Sequence, residues 1–234
     1  MRSDAFIETK NVTELRRAVS EAREAGIGVP AMVMAYGEAG TGKTKAAKES
    51  FTDLGGVFMR AFEGMTLAAF MQDLCFEICG SRPHGTNRCR TEIMKALKDN
   101  ATPIFVDEID RSPITFFETL RDIHDVTGSP VIFIGEMGLP TRVSARNRIN
   151  DRIPESFRIQ FRPIERNDIM AFARKAADLS LSPEACAFLS ESTRGNFRKE
   201  HNAVQTLERA ARANSVKEID ADFARHLLGK KAGR

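Results

Sequence analysis

Apolar positions along this chain follow two periods, and the alternation between them lays out an order of strands and helices. Short apolar runs at 30–36, 56–60, 102–107, 130–135 and 157–161, each bounded by turn residues, predict buried strands. Between them the apolar spacing lengthens to that of one helix face, predicting helices near 11–25, 43–53, 66–79, 88–99 and 112–126. Asn11 and Glu14 stand at capping-box spacing, and Ser112 and Pro113 read as N-cap and first helical residue. After Pro163 only helical spacing is expected, near 166–179, 183–191, 196–213 and 220–228. Phe58, Phe62, Phe105, Phe116, Phe117, Phe133, Phe157 and Phe161 fall on or beside these elements and are expected in the core. The order is that of an α/β parallel-sheet domain over residues 1–162, with 1–28 as a lead-in, followed by an all-helical subdomain over 163–234. That subdomain ends in the basic tail Lys230–Arg234, and no internal repeat interrupts the order.

Composition bounds this layout without changing it. A chain of 234 residues can bury one substantial core plus an appendage. The N-terminus carries Asp4 and Glu8 and lacks an apolar segment, so no leader is expected, and no run approaches membrane-spanning length. Four cysteines without a paired framework suggest a reducing, cytoplasmic setting. The net charge of +3 is unevenly spread: Arg82, Arg88, Arg90, Lys95 and Lys98 are opposed only by Glu92, and the arginines from Arg142 to Arg162 only by Asp151 and Glu155.

The candidate chemistry begins after the first strand. Gly37-Glu38-Ala39-Gly40-Thr41-Gly42-Lys43-Thr44 fits G-x-x-x-x-G-K-[ST] between a predicted strand and a predicted helix, and Lys45 continues into that helix. Glycines let successive amides point at one anion, and the positive end of the helix adds to that field, so the pattern predicts triphosphate binding. The run Pro103–Val106 ends in Asp107-Glu108, two carboxylates at the carboxyl end of a parallel strand, where α/β sheets hold ligands. Asp107 and the Thr44 hydroxyl suit Mg²⁺, Lys43 suits the β- and γ-phosphates, and Glu108 suits a base acting on water. ATP and Mg²⁺ are therefore the expected substrate and cofactor.

Taken together, the loop, the acidic strand and the trailing helices resemble the AAA+ ATPases over nearly the whole chain. The resemblance implies a P-loop parallel sheet with a helical lid, oligomeric assembly, and further site residues. Arg198 in Arg194-Gly195-Asn196-Phe197-Arg198 matches the lid arginine that reaches the γ-phosphate. Arg152 in Asn150-Asp151-Arg152-Ile153 matches the arginine finger that projects into a neighbouring subunit, with Arg146 and Arg148 as rivals. Where the family places a small polar residue after the fourth strand, this chain has Glu136. Either a third carboxylate there repels Asp107 and Glu108 and slows hydrolysis, or Glu136 caps the next helix. Within the AAA+ proteins, the opening Phe6–Val12, the stretch Val131–Met137, and the arginine-rich passage ending Phe161-Arg162-Pro163-Ile164 are similar to phage Mu B-type transposition regulators and related transposon helper ATPases. That likeness implies ATP-dependent filaments on double-stranded DNA and recruitment of a transposase. A helicase or initiator loader and a signalling ATPase that touches no nucleic acid share the same core.

The segment Gly80–Arg88 bears on that choice. It is basic and lacks aromatic side chains, so Arg82, His84, Thr86, Asn87, Arg88 and Arg90 are expected to contact DNA phosphates without reading sequence. Cys75, Cys79, His84 and Cys89 have nearly the spacing of a zinc knuckle. Cys75 and Cys79 also lie on the apolar stripe Leu67, Phe70, Met71, Leu74, Ile78, where cysteine acts as a small hydrophobe.

Overall fold

The computed structural model describes residues 1–2 and 5–229; Asp4 and the basic tail Lys230–Arg234 lie outside the described residues. By contact, the chain divides into two units, residues 11–38 with 43–161 and residues 1–10 with 39–42 and 162–234.

The larger unit is built on a five-stranded, wholly parallel sheet of β1 (Val33–Gly37), β2 (Val57–Arg60), β3 (Ile104–Asp107), β4 (Val131–Gly135) and β5 (Arg158–Phe161), in spatial order β2-β3-β4-β1-β5. The strands β3 and β4 are buried along their whole length, as their unbroken apolar runs require, whereas the edge strands β2 and β5 alternate buried and open positions. Helices α1 (Lys10–Glu24), α2 (Lys43–Leu54), α3 (Leu67–Cys79), α4 (Thr86–Asp99) and α5 (Ile114–Thr127) accompany the sheet, with the short α6 (Leu139–Ser144) and α7 (Asn147–Asn150) inside the arginine-rich passage. Phe117 meets Phe133 and Phe70 meets Phe116, each pair at 5.0 Å between ring centres, within a core that includes Met32, Met34, Leu120 and Ile123. Phe62 departs from its expected place: it is 59% exposed, on the loop that leaves β2.

Several boundaries shift for local reasons. The first helix starts at Lys10, and Asn11 is buried inside its first turn rather than capping it. Ser112 closes a single 3₁₀ turn, Ile109–Arg111, and is extended (ψ 154°), as a residue before proline must be. Pro113 therefore takes the N-cap place, and the helix begins at Ile114. Helix α4 begins at Thr86, because Gly85 at φ 93° makes the turn that the longer expected loop would have made.

The smaller unit contains α8 (Arg166–Ala177), α9 (Pro183–Thr193), α10 (Phe197–Ala213) and α11 (Ala221–Leu228). It is not purely helical, because β6 (Ser180–Leu181) and β7 (Glu218–Ile219) pair in parallel. Ser182 caps α9 by accepting from the Ala185 amide, with Pro183 at the first position. Ala5 and Ile7 join Ile169, Phe172, Leu189, Val204 and Leu207 in its core, so the opening residues pack in this unit rather than forming a lead-in to the sheet. No helix among the described residues is long and apolar enough to cross a membrane.

Candidate nucleotide site

The phosphate loop begins where β1 runs closest to β5. A Cβ on Gly37 would lie 2.6 Å from the Phe161 carbonyl oxygen, so only glycine lets the two strands pair there. Gly42, at φ 95°, turns the chain into α2. The Lys43 ammonium donates to the carbonyls of Gly37 and Glu38, both at 2.8 Å. Burial lowers its pKa, while Glu136, Asp107, Asp110 and Glu38 act the other way. The Thr44 hydroxyl donates to Asp107 Oδ2 at 2.9 Å, bringing the two expected magnesium ligands together.

The loop tip, Ala39–Gly42, is held by α10 within the smaller unit. Asn196 caps that helix by accepting from the Lys199 amide at 3.2 Å, and its amide nitrogen donates to the Ala39 carbonyl at 2.7 Å. The Arg198 amide donates to the Gly40 carbonyl at 3.1 Å, and the Arg198 side chain is exposed. Gly40 has φ 82°, and a Cβ there would come within 2.6 Å of Asn196. Nothing in the sequence pointed to this grip of Asn196 on the loop.

Asp107 is buried at the end of β3, and burial raises its pKa; the Thr44 hydroxyl opposes that shift. Glu108 follows in the left-handed region at φ 57°, a conformation uncommon for a side chain of this kind. Its carboxylate is paired with Arg60 and, at 3.2 Å, with Arg111. Arg60 ends β2 in direct register with Asp107, and its hydrogen bond to Glu108 raises the guanidinium pKa. Neither arginine stood out in the sequence. Arg60 is placed by the β2–β3 pairing, which sequence periodicity does not reveal.

Glu136 is exposed just past β4 and does not cap α6, whose N-cap is Gly138 without a side-chain bond. Glu136 offers only its backbone carbonyl, to Leu139. Its charge acts on Lys43, whose pKa it raises against the effect of burial.

The arginines of the 142–158 passage divide by partner. Arg152 forks onto Asp125 at 3.0 and 3.1 Å within its own chain, and Arg142 donates to the backbone carbonyls of Asp110 and Ser112. Arg146 and Arg148 are exposed and line an open cleft of about 580 Å³ with Glu118 and Asn147. An arginine that serves a neighbouring molecule must be free to leave its own, which favours Arg146 and Arg148 over Arg152.

The basic segment is part loop and part helix. Arg82 lies over the Phe76 ring at 4.7 Å and pairs with Asp73, His84 is exposed, and Thr86, Asn87 and Arg88 form the first turn of α4. No side chain caps that turn and no acid lies in it, so its amides and helix field favour an anion. Arg90 is half-buried. Cys75 and Cys89 are buried and His84 is exposed, and the described residues contain no cluster able to hold a metal through three or more His, Cys, Asp or Glu. Burial raises all three thiol pKa values, keeping Cys75, Cys79 and Cys89 protonated and apolar. For Mg²⁺ the donor chemistry does fit: a hydroxyl and a carboxylate, both hard oxygen donors, meet beside a phosphate loop.

Comparisons with known proteins agree with this geometry. The family model described as the AAA domain matches residues 28–143. A Staphylococcus aureus protein described as a potential ATP-binding protein is 28% identical over 129 residues, covering 51% of this chain and 46% of that protein, so the match spans about half of that relative. Domain III of the Thermotoga maritima replication initiation protein DnaA is similar in structure, with a TM-score of 0.61 at 18% identity over 98% of this chain and 95% of that one. The Aeropyrum pernix ORC1 protein, in a complex with DNA, gives 0.59 at 15% identity over 96% of this chain and 66% of that one. The fold is that of the P-loop AAA+ proteins.

Proposed function

We propose, from the premise that residues 28–143 form an AAA domain, that this protein is a Mg²⁺-dependent ATPase that assembles with copies of itself on double-stranded DNA. The contact between Thr44 and Asp107 carries the ATPase reading, because it joins the phosphate loop to the acidic strand end that a hydrolase needs. Lys43 leaves its own loop carbonyls to bind the β- and γ-phosphates, and the loop amides and Lys45 complete the cradle. Mg²⁺, held by Thr44 and Asp107, supplies charge neutralisation on the phosphate oxygens when bound. Glu108, once released by Arg60 and Arg111, takes a proton from the water that attacks the γ-phosphorus, and ADP and phosphate leave. Arg198 and an arginine of the 146–152 passage stabilise the charge that develops.

The DNA reading rests on the uncapped first turn of α4 and on Arg82 and Arg88 beside it. In this scheme ATP-bound copies coat duplex DNA and recruit a transposase, as the resemblance to Mu B-type regulators implies. The likeness to an initiation protein and to a DNA-bound ORC1 favours a second reading, an initiator or helicase loader that prefers single strands.

Electron microscopy and ATP turnover, each measured with duplex and with single-stranded DNA, test both readings. Duplex-dependent assembly is expected. Glu108→Gln should lower turnover by about a hundredfold or more while trapping the assembly, and Lys43→Ala should prevent assembly. Assembly by the Lys43→Ala variant with ATP would contradict the scheme, and preference for single strands would select the loader reading.

A further inference from the structure

The first turn of α10, which holds the phosphate loop, also buries an acid that the proposed reaction does not use. Glu200 is fully buried, with its Oε1 in hydrogen-bond contact with the Thr193 hydroxyl and its Oε2 without a hydrogen-bond partner. An unpaired buried oxygen is tolerated far better on a neutral acid than on an anion. From α9 the Cys186 thiol donates to the Arg166 carbonyl at 3.2 Å; burial and then the charge of Glu200 raise its pKa, and Arg166 of α8 opposes them. The charged side chains of α11, Asp222, Arg225 and His226, are exposed, as are Arg198 and Lys199 on α10, while His201 is half-buried against the Phe172 ring. Among the described residues of this smaller unit no lysine, arginine or histidine is buried, so an ionised Glu200 would have no buried side-chain cation to balance it.

One enclosed turn joins this acid to the loop. The Thr193 hydroxyl accepts from the Gly195 amide at 3.2 Å, the Thr193 carbonyl accepts from the Asn196 amide at 3.2 Å, and the Gly195 carbonyl accepts from the Ile164 amide at 2.9 Å. Arg194 and Gly195 are both left-handed, at φ 56° and 63°, and a Cβ on Gly195 would lie 2.7 Å from the Pro163 side chain. A turn packed this closely passes a displacement on instead of absorbing it. Next in the chain come Asn196 and Arg198, which hold the carbonyls of Ala39 and Gly40. We propose that Glu200 is a proton switch on the phosphate loop: its ionisation pulls the Thr193 hydroxyl and water toward the carboxylate, shifts the Thr193–Asn196 turn and slackens the hold on Ala39 and Gly40. A loop already ordered loses less freedom when it closes on a ligand, so nucleotide binding and proton uptake at Glu200 strengthen each other. Burial raises the pKa of this acid to about 7, so the hold is full while the acid is protonated and is lost as pH rises through that value. The switch regulates the nucleotide site proposed above and rests on that reading.

Glu200→Gln tests the switch, since a neutral side chain of the same shape keeps the loop held at every pH. Affinity for a fluorescent, non-hydrolysable ATP analogue is measured for both proteins across a series of pH values. Ionisation of the nucleotide, of Lys43 and of His201 is common to the two and cancels in the ratio of their affinities. The proteins should bind alike at about pH 5.5, and wild-type should bind about tenfold more weakly than Glu200→Gln at about pH 8.5. Calorimetry in buffers of unequal ionisation heat should show wild-type taking up more protons than the variant as nucleotide binds near neutral pH. Asn196→Ala removes the side-chain grip, and in that background the ratio should fall toward one. A full ratio that persists without Asn196 would overturn the route through the loop. A ratio that stays constant with pH, while both proteins bind nucleotide, would overturn the switch and leave the ATPase reading standing. If wild-type binds no nucleotide at any pH, the ATPase reading itself fails and the switch with it.

Discussion

At the scale of single residues, the carboxylate that should activate water is the most constrained group in the site. Glu108 sits in a left-handed backbone conformation with Arg60 on one side and Arg111 on the other. An exposed ion pair is worth up to about 1 kcal/mol, so Arg60→Ala should raise DNA-independent ATP turnover by up to about fivefold. A fall in turnover would show that Arg60 assists the reaction instead of restraining it. The residues of this site were unevenly legible in the sequence. Lys43, Thr44, Asp107 and Glu108 could be read because each is fixed by position relative to one strand end, and such motifs are local. Arg60 and Arg111 could not, because their importance lies in meeting a residue from elsewhere in the chain. Arg152 was matched to the arginine finger, with Arg146 and Arg148 as rivals, and only the fold revealed Asp125 beside it.

At the scale of elements, the N-terminus of α10 combines a grip on the phosphate loop with a buried acid. The Thr193 hydroxyl has a single proton, which reaches the Leu189 carbonyl at 2.9 Å, yet Glu200 also lies within hydrogen-bond distance of that hydroxyl. A protonated Glu200 donating to Thr193 satisfies both contacts, and burial raises its pKa from 4.5 to about 7. The acid is neutral and harmless to the fold at low pH, so its contribution is full below about pH 4.5 and is lost as pH rises through 7. Glu200→Gln should flatten the pH dependence and gain up to about 3 kcal/mol relative to wild-type at pH 8, measured by denaturant unfolding at a series of pH values. Parallel profiles for the two proteins would exclude Glu200 as the titrating group. Element types were legible because buried strands and amphipathic helices have distinct periods, as β4 and α10 illustrate. The two-residue strands β6 and β7 were too short to show a period, and the start of α4 was set by the backbone of Gly85 rather than by any apolar pattern.

At the scale of the whole molecule, the proposal that copies share catalysis rests on the exposed pair Arg146 and Arg148. Mixing Glu108→Gln, which assembles and keeps these arginines, with an Arg146→Ala/Arg148→Ala variant, which keeps the phosphate loop and Glu108, should restore turnover that neither shows alone. Activity no greater than the sum of the two would remove arginine sharing from the scheme. The order of strands in the sheet has a consequence of another kind. β1 lies between β4 and β5, so the strand that carries the phosphate loop finds its first partner roughly a hundred residues further along the chain. During synthesis the loop sequence therefore emerges long before the surfaces that shape it, and a growing chain that stops short of Phe161 has the motif without the cradle. If the loop takes ATP as proposed, it does so only once the chain extends past Phe161, and binding then shields folded molecules, not their unfinished precursors, from unfolding.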